Sequence, residues 1–374
     1  MKSTHKEELY IKKEPISDVY FDDKSIFFDI ETTGFSPNKS NVYMIGCARK
    51  KGKYVCIDQF FAEKPSEEKL IISAFIEILK EYDTIISFNG VGFDIPFLKA
   101  KCDKYSIKEN FKKYNYLDIF KTITPIKNLL KLPNYKQKSI EKFLGLLRDD
   151  KFSGGELINF YYDYVNLSNS SDSKKDELLQ ILYLHNYEDV IGMMELLPIL
   201  SYIEVLNGQF SISQTEVSPF KAFDQTVRNE LIITLVNDFY IPKRVTYKDN
   251  DFYISMNKDK TIIRTPVIAD ELKYFYPNYK DYYYLPAEDM AVHKSVATFV
   301  DNDYREKCKA NNCYIKKNSE FIIQYSEIMK PEFKKEHKSK CSYFELTEDF
   351  YSSDIMLRRY VEHIINHIFP LKNG

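Results

Sequence analysis

The run Ser25-Ile26-Phe27-Phe28-Asp29-Ile30 constrains the fold more than any other stretch of the chain. Its aromatic and β-branched residues are those of a strand buried in a sheet, yet it carries a carboxylate. Glu31 follows two positions after Asp29, and side chains at i and i+2 of an extended chain share a face. Two such groups at the end of an apolar strand repel each other and resist desolvation, so something positive has to stand against them. A hard divalent cation would serve. A strand-end acid with a surface neighbour is the plainer alternative.

Around this strand the pattern is α/β. Residues 42–48 and 54–61 read as two further strands joined by the polar turn Lys50-Lys51-Gly52, which gives an antiparallel three-strand opening. Leu70, Ile71, Phe75, Ile78 and Leu79 then recur at helical spacing after Pro65-Ser66-Glu67-Glu68, a sequence suited to a helix N-terminus. Residues 84–88 and 116–119 predict a fourth and a fifth strand. Residues 167–175 form a polar stretch leading into the longest periodic segment, a helix over 173–200 with Leu178, Ile181, Leu182, Val190, Met193 and Leu197 on one face. Near Asn207-Gly208 the pattern changes to short β-type runs at 210–212, 251–256 and 261–267, with a closing helix over 353–368. This predicts a first domain over 1–204 and a C-terminal α+β region over 205–374.

Two more acidic signals follow the first. Asp94 lies in Asn89-Gly90-Val91-Gly92-Phe93-Asp94-Ile95-Pro96, just past a strand, at the sheet end where open α/β folds collect ligands; capping of the next helix is its alternative use. His185 and Asp189, four positions apart, project from one face of the predicted helix, and alone would read as a local hydrogen-bonded pair. Together, Asp29, Glu31, Asp94, Asp189 and a histidine are the set a two-metal phosphodiester hydrolase needs, because oxygen ligands suit Mg²⁺ or Mn²⁺.

The string Phe28-Asp29-Ile30-Glu31-Thr32-Thr33-Gly34 with Asn89, Phe93 and Asp94, followed by His185 to Asp189, resembles the DEDD (DnaQ-like) 3′ to 5′ exonuclease superfamily. Residues 135–145 with Arg148, Asp149 and Gly154 look like its YprB-like branch. The resemblance, which covers residues 25–200, implies a ribonuclease H-like fold: a five-stranded mixed sheet whose first three strands are antiparallel and whose last two are parallel, flanked by helices. It implies a 3′ to 5′ exonuclease holding two Mg²⁺ or Mn²⁺ ions on Asp29, Glu31, Asp94 and Asp189, with His185 activating water. His185 departs from the family pattern in standing at the spacing used by a tyrosine, which brings Tyr183 and Tyr187 forward as substitutes. Thr33, Gly34, Phe35, Asn89 and Phe93 are candidates for the substrate path. Lys99, Lys101, Lys136, Lys138, Lys142 and Arg148 could track phosphates or simply solvate helix faces.

Composition narrows the partners. Lys and Arg number 53 against 55 Asp and Glu, so the net charge of -2 supplies no global attraction to nucleic acid or membrane. Apolar runs fall far short of the ~20 residues of a membrane span, and the charged opening residues lack a secretory signal, so the cytoplasm is expected. The six cysteines are sparse and unpatterned. Cys308, Cys313, His337 and Cys341 could form a Zn²⁺ site, though isolated thiols fit the spacing better. The tyrosine-dense run 276–286 could stack on single strands or pave a core. A catalytically silent module that binds nucleic acid or protein, and an endonuclease using the same metals, are the alternative functions.

Overall fold

The computed structural model describes residues 1–10, 14–167, 172–221 and 225–371. Two compact units emerge, Met1–Glu204 with Phe239–Lys243, and Val205–Asp238 with Arg244–Gly374.

The first unit is built on β1 (Lys2–Leu9), β2 (Ser25–Thr32), β3 (Val42–Lys51), β4 (Tyr54–Phe61), β5 (Thr84–Ser87) and β6 (Asn115–Asp118). Among the described residues these form a six-stranded sheet in the order β1-β4-β3-β2-β5-β6. β2, β3 and β4 pair antiparallel, and β5 and β6 join in parallel, as expected. The expected five strands become six because β1 pairs antiparallel with β4 along the outer edge. Its sequence, KSTHKEEL, has no apolar alternation, and none of its residues is buried. Backbone pairing alone makes it a strand, a signal that hydrophobic periodicity cannot carry.

Alternation along β2 decides where the carboxylates go. Ile26, Phe28 and Ile30 face a core with Ile71, Ile72, Phe75, Ile76 and Leu79 of helix α1 (Glu68–Leu79), where the Phe28 and Phe75 rings stack at 5.1 Å. Asp29 and Glu31, being out of phase with these, face the opposite side. That side is covered by α4 (Gly154–Asn166) and α5 (Asp172–Glu195), with α2 (Asp94–Tyr105) and α3 (Gln137–Leu144) between in sequence. Tyr43 and Phe61 of the sheet pack there against Leu157, Tyr161, Tyr164, Leu178 and Leu182. Part of the expected polar stretch, 168–171, lies outside the described residues. Its last residues, 173–175, are helical, and the predicted helix ends at Glu195, before Pro198.

Gly46 sets how closely α5 can lie on the sheet. It pairs with Asp29 across β2 and β3, and a Cβ there would sit 2.1 Å from Asn186 Oδ1 and 2.9 Å from Val190 Cγ2. Gly46→Ala must push α5 away from β2, and we expect a loss of ~1–3 kcal/mol by denaturant unfolding, together with weaker Mn²⁺ binding. Unchanged values for both would show that the contact yields freely.

In the second unit, β7 (Phe210–Lys221), β8 (Val227–Lys248), β9 (Tyr253–Phe275), β13 (Tyr314–Gln324) and β14 (Ser342–Glu345) form a sheet in the order β14-β13-β9-β8-β7. β10 (Tyr282–Leu285), β11 (Met290–His293) and β12 (Glu306–Lys307) make a smaller one. The two runs expected at 251–256 and 261–267 are one strand, β9, which passes through the turn-like Asn257-Lys258-Asp259-Lys260 with Lys258 left-handed at φ 52°. The closing helix, α6 (Asp354–Ile368), buries Leu357, Tyr360, Val361, Ile364 and Ile365. Tyr276, Tyr279, Tyr282 and Tyr284 pack around buried Ala291, Cys308 and Cys313, so these tyrosines are a small core. Among the described residues, no helix is long and apolar enough to cross a membrane.

Candidate active site

Asp29 and Glu31 sit at the carboxyl end of the strand shared by the antiparallel and parallel halves of the sheet. Because β5 runs parallel to β2, the chain leaving β5 emerges at the same end, and it carries Asp94 there at the first turn of α2. The Asp94 carboxylate accepts a hydrogen bond from the Ile30 backbone N–H at 3.3 Å, which ties it to the strand between the other two acids. α5 supplies the rest. His185 Nε2 lies 3.5 Å from Glu31 Oε1 and 3.1 Å from Asp189 Oδ2, and ligand atoms of Glu31, His185 and Asp189 all fall within 4.8 Å of one another. Asn186 donates to Asp29 Oδ2 at 3.3 Å while Gln59 of β4 donates to the Asn186 amide oxygen at 3.0 Å. The five residues singled out in the sequence therefore meet at one end of the sheet. Tyr183 and Tyr187 point elsewhere: Tyr183 packs on Phe61 and Tyr187 donates to Glu8.

Other members carry no sequence signal of comparable strength. Asp150, in the loop before α4, accepts from His185 Nδ1 at 2.7 Å and from Lys138 Nζ at 2.6 Å. Glu188, from α5 itself, accepts the backbone N–H groups of Asp149 and Asp150 and so clamps that loop. Arg148, a candidate for tracking phosphates, instead bridges Asp189 Oδ1 at 2.5 Å and Glu141. Gly192 permits this approach, since a Cβ there would lie 2.2 Å from Glu141 Oε1. Lys138 and Lys101 are likewise engaged, the latter buried against Glu68 at 2.8 Å.

The candidate substrate residues flank the acids. Thr33 Oγ1 accepts from the Asn41 N–H, closing the loop that carries Gly34. Phe35 is 91% exposed and stands edge-on to Phe93 at 6.2 Å. Asn89, left-handed at φ 62°, is held by Asp118, whose carboxylate accepts from the N–H groups of Asn89 and Val91. That buried acid fixes the turn leading to Asp94.

Electrostatically the acids outnumber the positive charges beside them, Arg148 on Asp189 and His185 between Asp189 and Glu31. Burial pushes Asp29 well above the usual carboxylate range, with Glu31, Asp189 and Asp94 adding to it. Burial likewise raises Glu31 to about 7 against the pull of His185, and Asp94 to about 7 against the Ile30 N–H. His185 is pushed up to about 9: burial alone would lower it, but Asp189, Glu31 and Asp150 outweigh that. Asp189 stays below its ordinary value despite burial, because His185 and Arg148 face it. Glu31 Oε1 is a buried oxygen with no hydrogen-bond partner among the described residues. Partly accessible carboxylates of raised pKa beside an unsatisfied oxygen are a donor set that fits a hard divalent cation.

The shifts of Asp29, Glu31, Asp94 and His185 share a sign. Glu31 and Asp94 bind their protons more tightly when folded, so stability is lost as pH climbs from their ordinary values of 4.5 and 3.8 toward about 7. His185 contributes stability below 6.5 that is lost as pH rises through about 9. Asp189 and Asp150 act oppositely, but only as pH falls below 3.8. In a chelator, Tm should therefore drop by roughly 5 °C or more between pH 5 and 9, and Mn²⁺ should suppress the drop. A flat or rising chelated profile would contradict the charge balance described.

Residues 26–201 match the family model of the RNase_H superfamily. This stretch has a ribonuclease H-like fold. A DNA polymerase of Methanocaldococcus jannaschii is 35% identical over 109 residues, 27% of this chain and 7% of that protein. A DNA polymerase of Pyrococcus glycovorans is 34% identical over 94 residues, 23% of this chain and 12% of that one. The chain thus spans only a small part of the length of these relatives. Among solved structures, the family B DNA polymerase of Pyrobaculum calidifontis is similar with a TM-score of 0.34 at 18% identity, covering 47% of this chain and 25% of that one. E. coli Exonuclease I in complex with a dA16 oligonucleotide gives 0.28 at 13% identity, covering 57% and 54%. In the ribonuclease H-like unit, the acids occupy the carboxyl end of the central strand. Among the described residues, Cys308 and Cys313 do not gather with His337 and Cys341 into a metal-sized group.

Proposed function

We propose that the chain is a metal-dependent 3′ to 5′ exonuclease that hydrolyses phosphodiester bonds at the end of a single-stranded nucleic acid. The observation that carries this reading is the meeting of Asp29, Glu31, Asp94, His185 and Asp189 on a ribonuclease H-like sheet, with a buried Glu31 oxygen left unsatisfied. Asp29, Glu31, Asp94 and Asp189 would hold two Mg²⁺ or Mn²⁺ ions, which when bound supply charge neutralisation and a nucleophilic water at neutral pH.

The chain's own groups do the rest. His185 now serves as the positive charge between Glu31 and Asp189; it becomes a proton acceptor once that charge is supplied otherwise. Asp150 on Nδ1 holds the ring so that Nε2 faces the acids. A cavity of about 490 Å³ lined by Phe88, Asn89, Phe120, Lys127, Tyr135, Lys136 and Gln137 opens beside the Asn89 turn. Lys127 Nζ stands 4.6 Å from the Phe120 ring and 4.9 Å from the Tyr135 ring. Aromatic faces with adjacent cations suit a base and its phosphate. Exposed Phe35 offers a further stacking face. The similarity of part of the chain to DNA polymerases is consistent with a nucleic-acid substrate.

The test is incubation of end-labelled single-stranded DNA and RNA with Mn²⁺, with product lengths resolved over time. Shortening by single nucleotides from the 3′ end is expected. Cleavage of circular single strands would make the protein an endonuclease, and Mn²⁺ stabilisation without any cleavage would make it a silent binding module.

A further inference from the structure

β1 has no place in the chemistry above, yet its pairing with β4 builds a second group of metal-binding side chains. The register sets His5 opposite Asp58 and Glu7 opposite Cys56. Residues two apart on each strand share a face, so all four side chains stand on one side of the sheet edge. Ligand atoms of His5, Glu7 and Cys56 fall within 4.8 Å of one another. The Asp58 carboxylate bonds His5 Nδ1 at 2.7 Å, and Arg49 holds the other Asp58 oxygen at 2.8 Å. With Nδ1–H committed to Asp58, Nε2 is the free ring nitrogen, and it lies 3.5 Å from Glu7 Oε1. The same Glu7 oxygen accepts from the Cys56 thiol at 3.6 Å.

We propose that His5 Nε2, Glu7 and Cys56 Sγ bind a borderline-soft divalent cation, Zn²⁺ in the first place, at a site separate from the carboxylate cluster. The donor sets of the two sites select different ions. Thiolate, imidazole and carboxylate suit Zn²⁺ in tetrahedral coordination, with water as fourth ligand, whereas Mg²⁺ and Mn²⁺ prefer the oxygens around Asp29. Histidine ligands are commonly fixed through their other nitrogen by a carboxylate, and Asp58 stands where such a partner is required. Charge also closes: binding releases the thiol proton, and one thiolate with Glu7 neutralises the ion. Since His5 and Glu7 belong to β1 and Cys56 to β4, the ion would pin a strand that has no buried side chain of its own. The opposite face of β1 touches α5, where Glu8 accepts from Tyr187 and Lys6 lies 4.2 Å over its ring.

The experiment uses the full chain, stripped of metal, and titrates Co²⁺ as a coloured substitute for Zn²⁺. A near-ultraviolet thiolate-to-cobalt band is expected, displaced by Zn²⁺ and untouched by Mg²⁺. Cys56→Ser should abolish it, and Asp58→Asn should weaken Co²⁺ affinity by ~10–100-fold. Asp29→Asn should leave the band intact, so the result is independent of the nuclease reading. His5→Ala and Glu7→Gln, on an exposed polar strand, keep the test valid if Cys56→Ser unfolds; each should weaken the band with the circular dichroism spectrum unchanged. Absence of the band in the wild-type chain, its survival in a folded Cys56→Ser, its persistence at full strength in both His5→Ala and Glu7→Gln, or its loss in Asp29→Asn would overturn the proposal.

Discussion

Asp29→Asn should reduce Mn²⁺-dependent phosphodiester cleavage by ~10³-fold or more and, in chelator at neutral pH, raise Tm. The two effects have one cause. Asp29 is surrounded by Glu31, Asp94 and Asp189, and burial already disfavours its charge. Without a cation, the cluster opposes folding whenever its members ionise. An asparagine keeps an oxygen for the Asn186 amide, at 3.3 Å in the native chain, and removes the repulsion. The same change removes a ligand from the ions that the cluster would hold, so the Tm gain on adding Mn²⁺ should shrink while the chelated Tm rises. Thermal unfolding with and without Mn²⁺, beside a cleavage assay, reads both. Full cleavage by the variant would remove Asp29 from the chemistry. A lower chelated Tm would show that the carboxylate is an ordinary structural partner.

That opposition between stability and site chemistry is also why the acids were visible in the sequence. Asp29 breaks an apolar strand, and Glu31 shares its face by the two-residue period of any strand. His185 and Asp189 follow from the helical period. Local periodicity is silent about side chains that loops deliver from afar. Asp150 reaches His185 because Glu188 on α5 captures the loop backbone, a tertiary bond with no periodic trace. Arg148 looked like a cation available to phosphate, but its partners, Glu141 and Asp189, are brought to it only by the packing of α3 on α5 beside Gly192. β1 escaped for the converse reason. Its side chains are polar on both faces, and its place depends on the unpaired edge of β4, which hydrophobic alternation cannot report. In β9, the polar residues 257–260 divide two apolar runs in the sequence, but the chain continues through them as one strand, because pairing overrides local propensity.

Asp150→Ala should lower the rate of cleavage at saturating substrate by ~10²-fold with little change in KM. Asp150 belongs to no proposed metal or substrate contact. It touches His185 Nδ1 at 2.7 Å, and through that bond it fixes both the ring's orientation and the nitrogen presented to Glu31 and Asp189. Without it, the imidazole can rotate away or present the wrong tautomer, and the loss falls on the chemical step rather than on binding. Lys138 shares the same carboxylate oxygen, so part of any effect could come from freeing that cation. Lys138→Gln separates the two: it removes the ion pair but leaves the His185 bond, and should retain most of the activity. Stability should also fall, by ~1–3 kcal/mol, because a buried carboxylate accepting from His185, Lys138 and the Phe152 N–H is lost. Asp150→Asn, which keeps an acceptor oxygen of the same shape, should recover most of that stability. If its activity returns in full as well, the negative charge on Asp150 is not needed and only its hydrogen bond orients the ring. If Asp150→Ala raises KM while its maximal rate stays intact, His185 does not act in the chemical step through this bond.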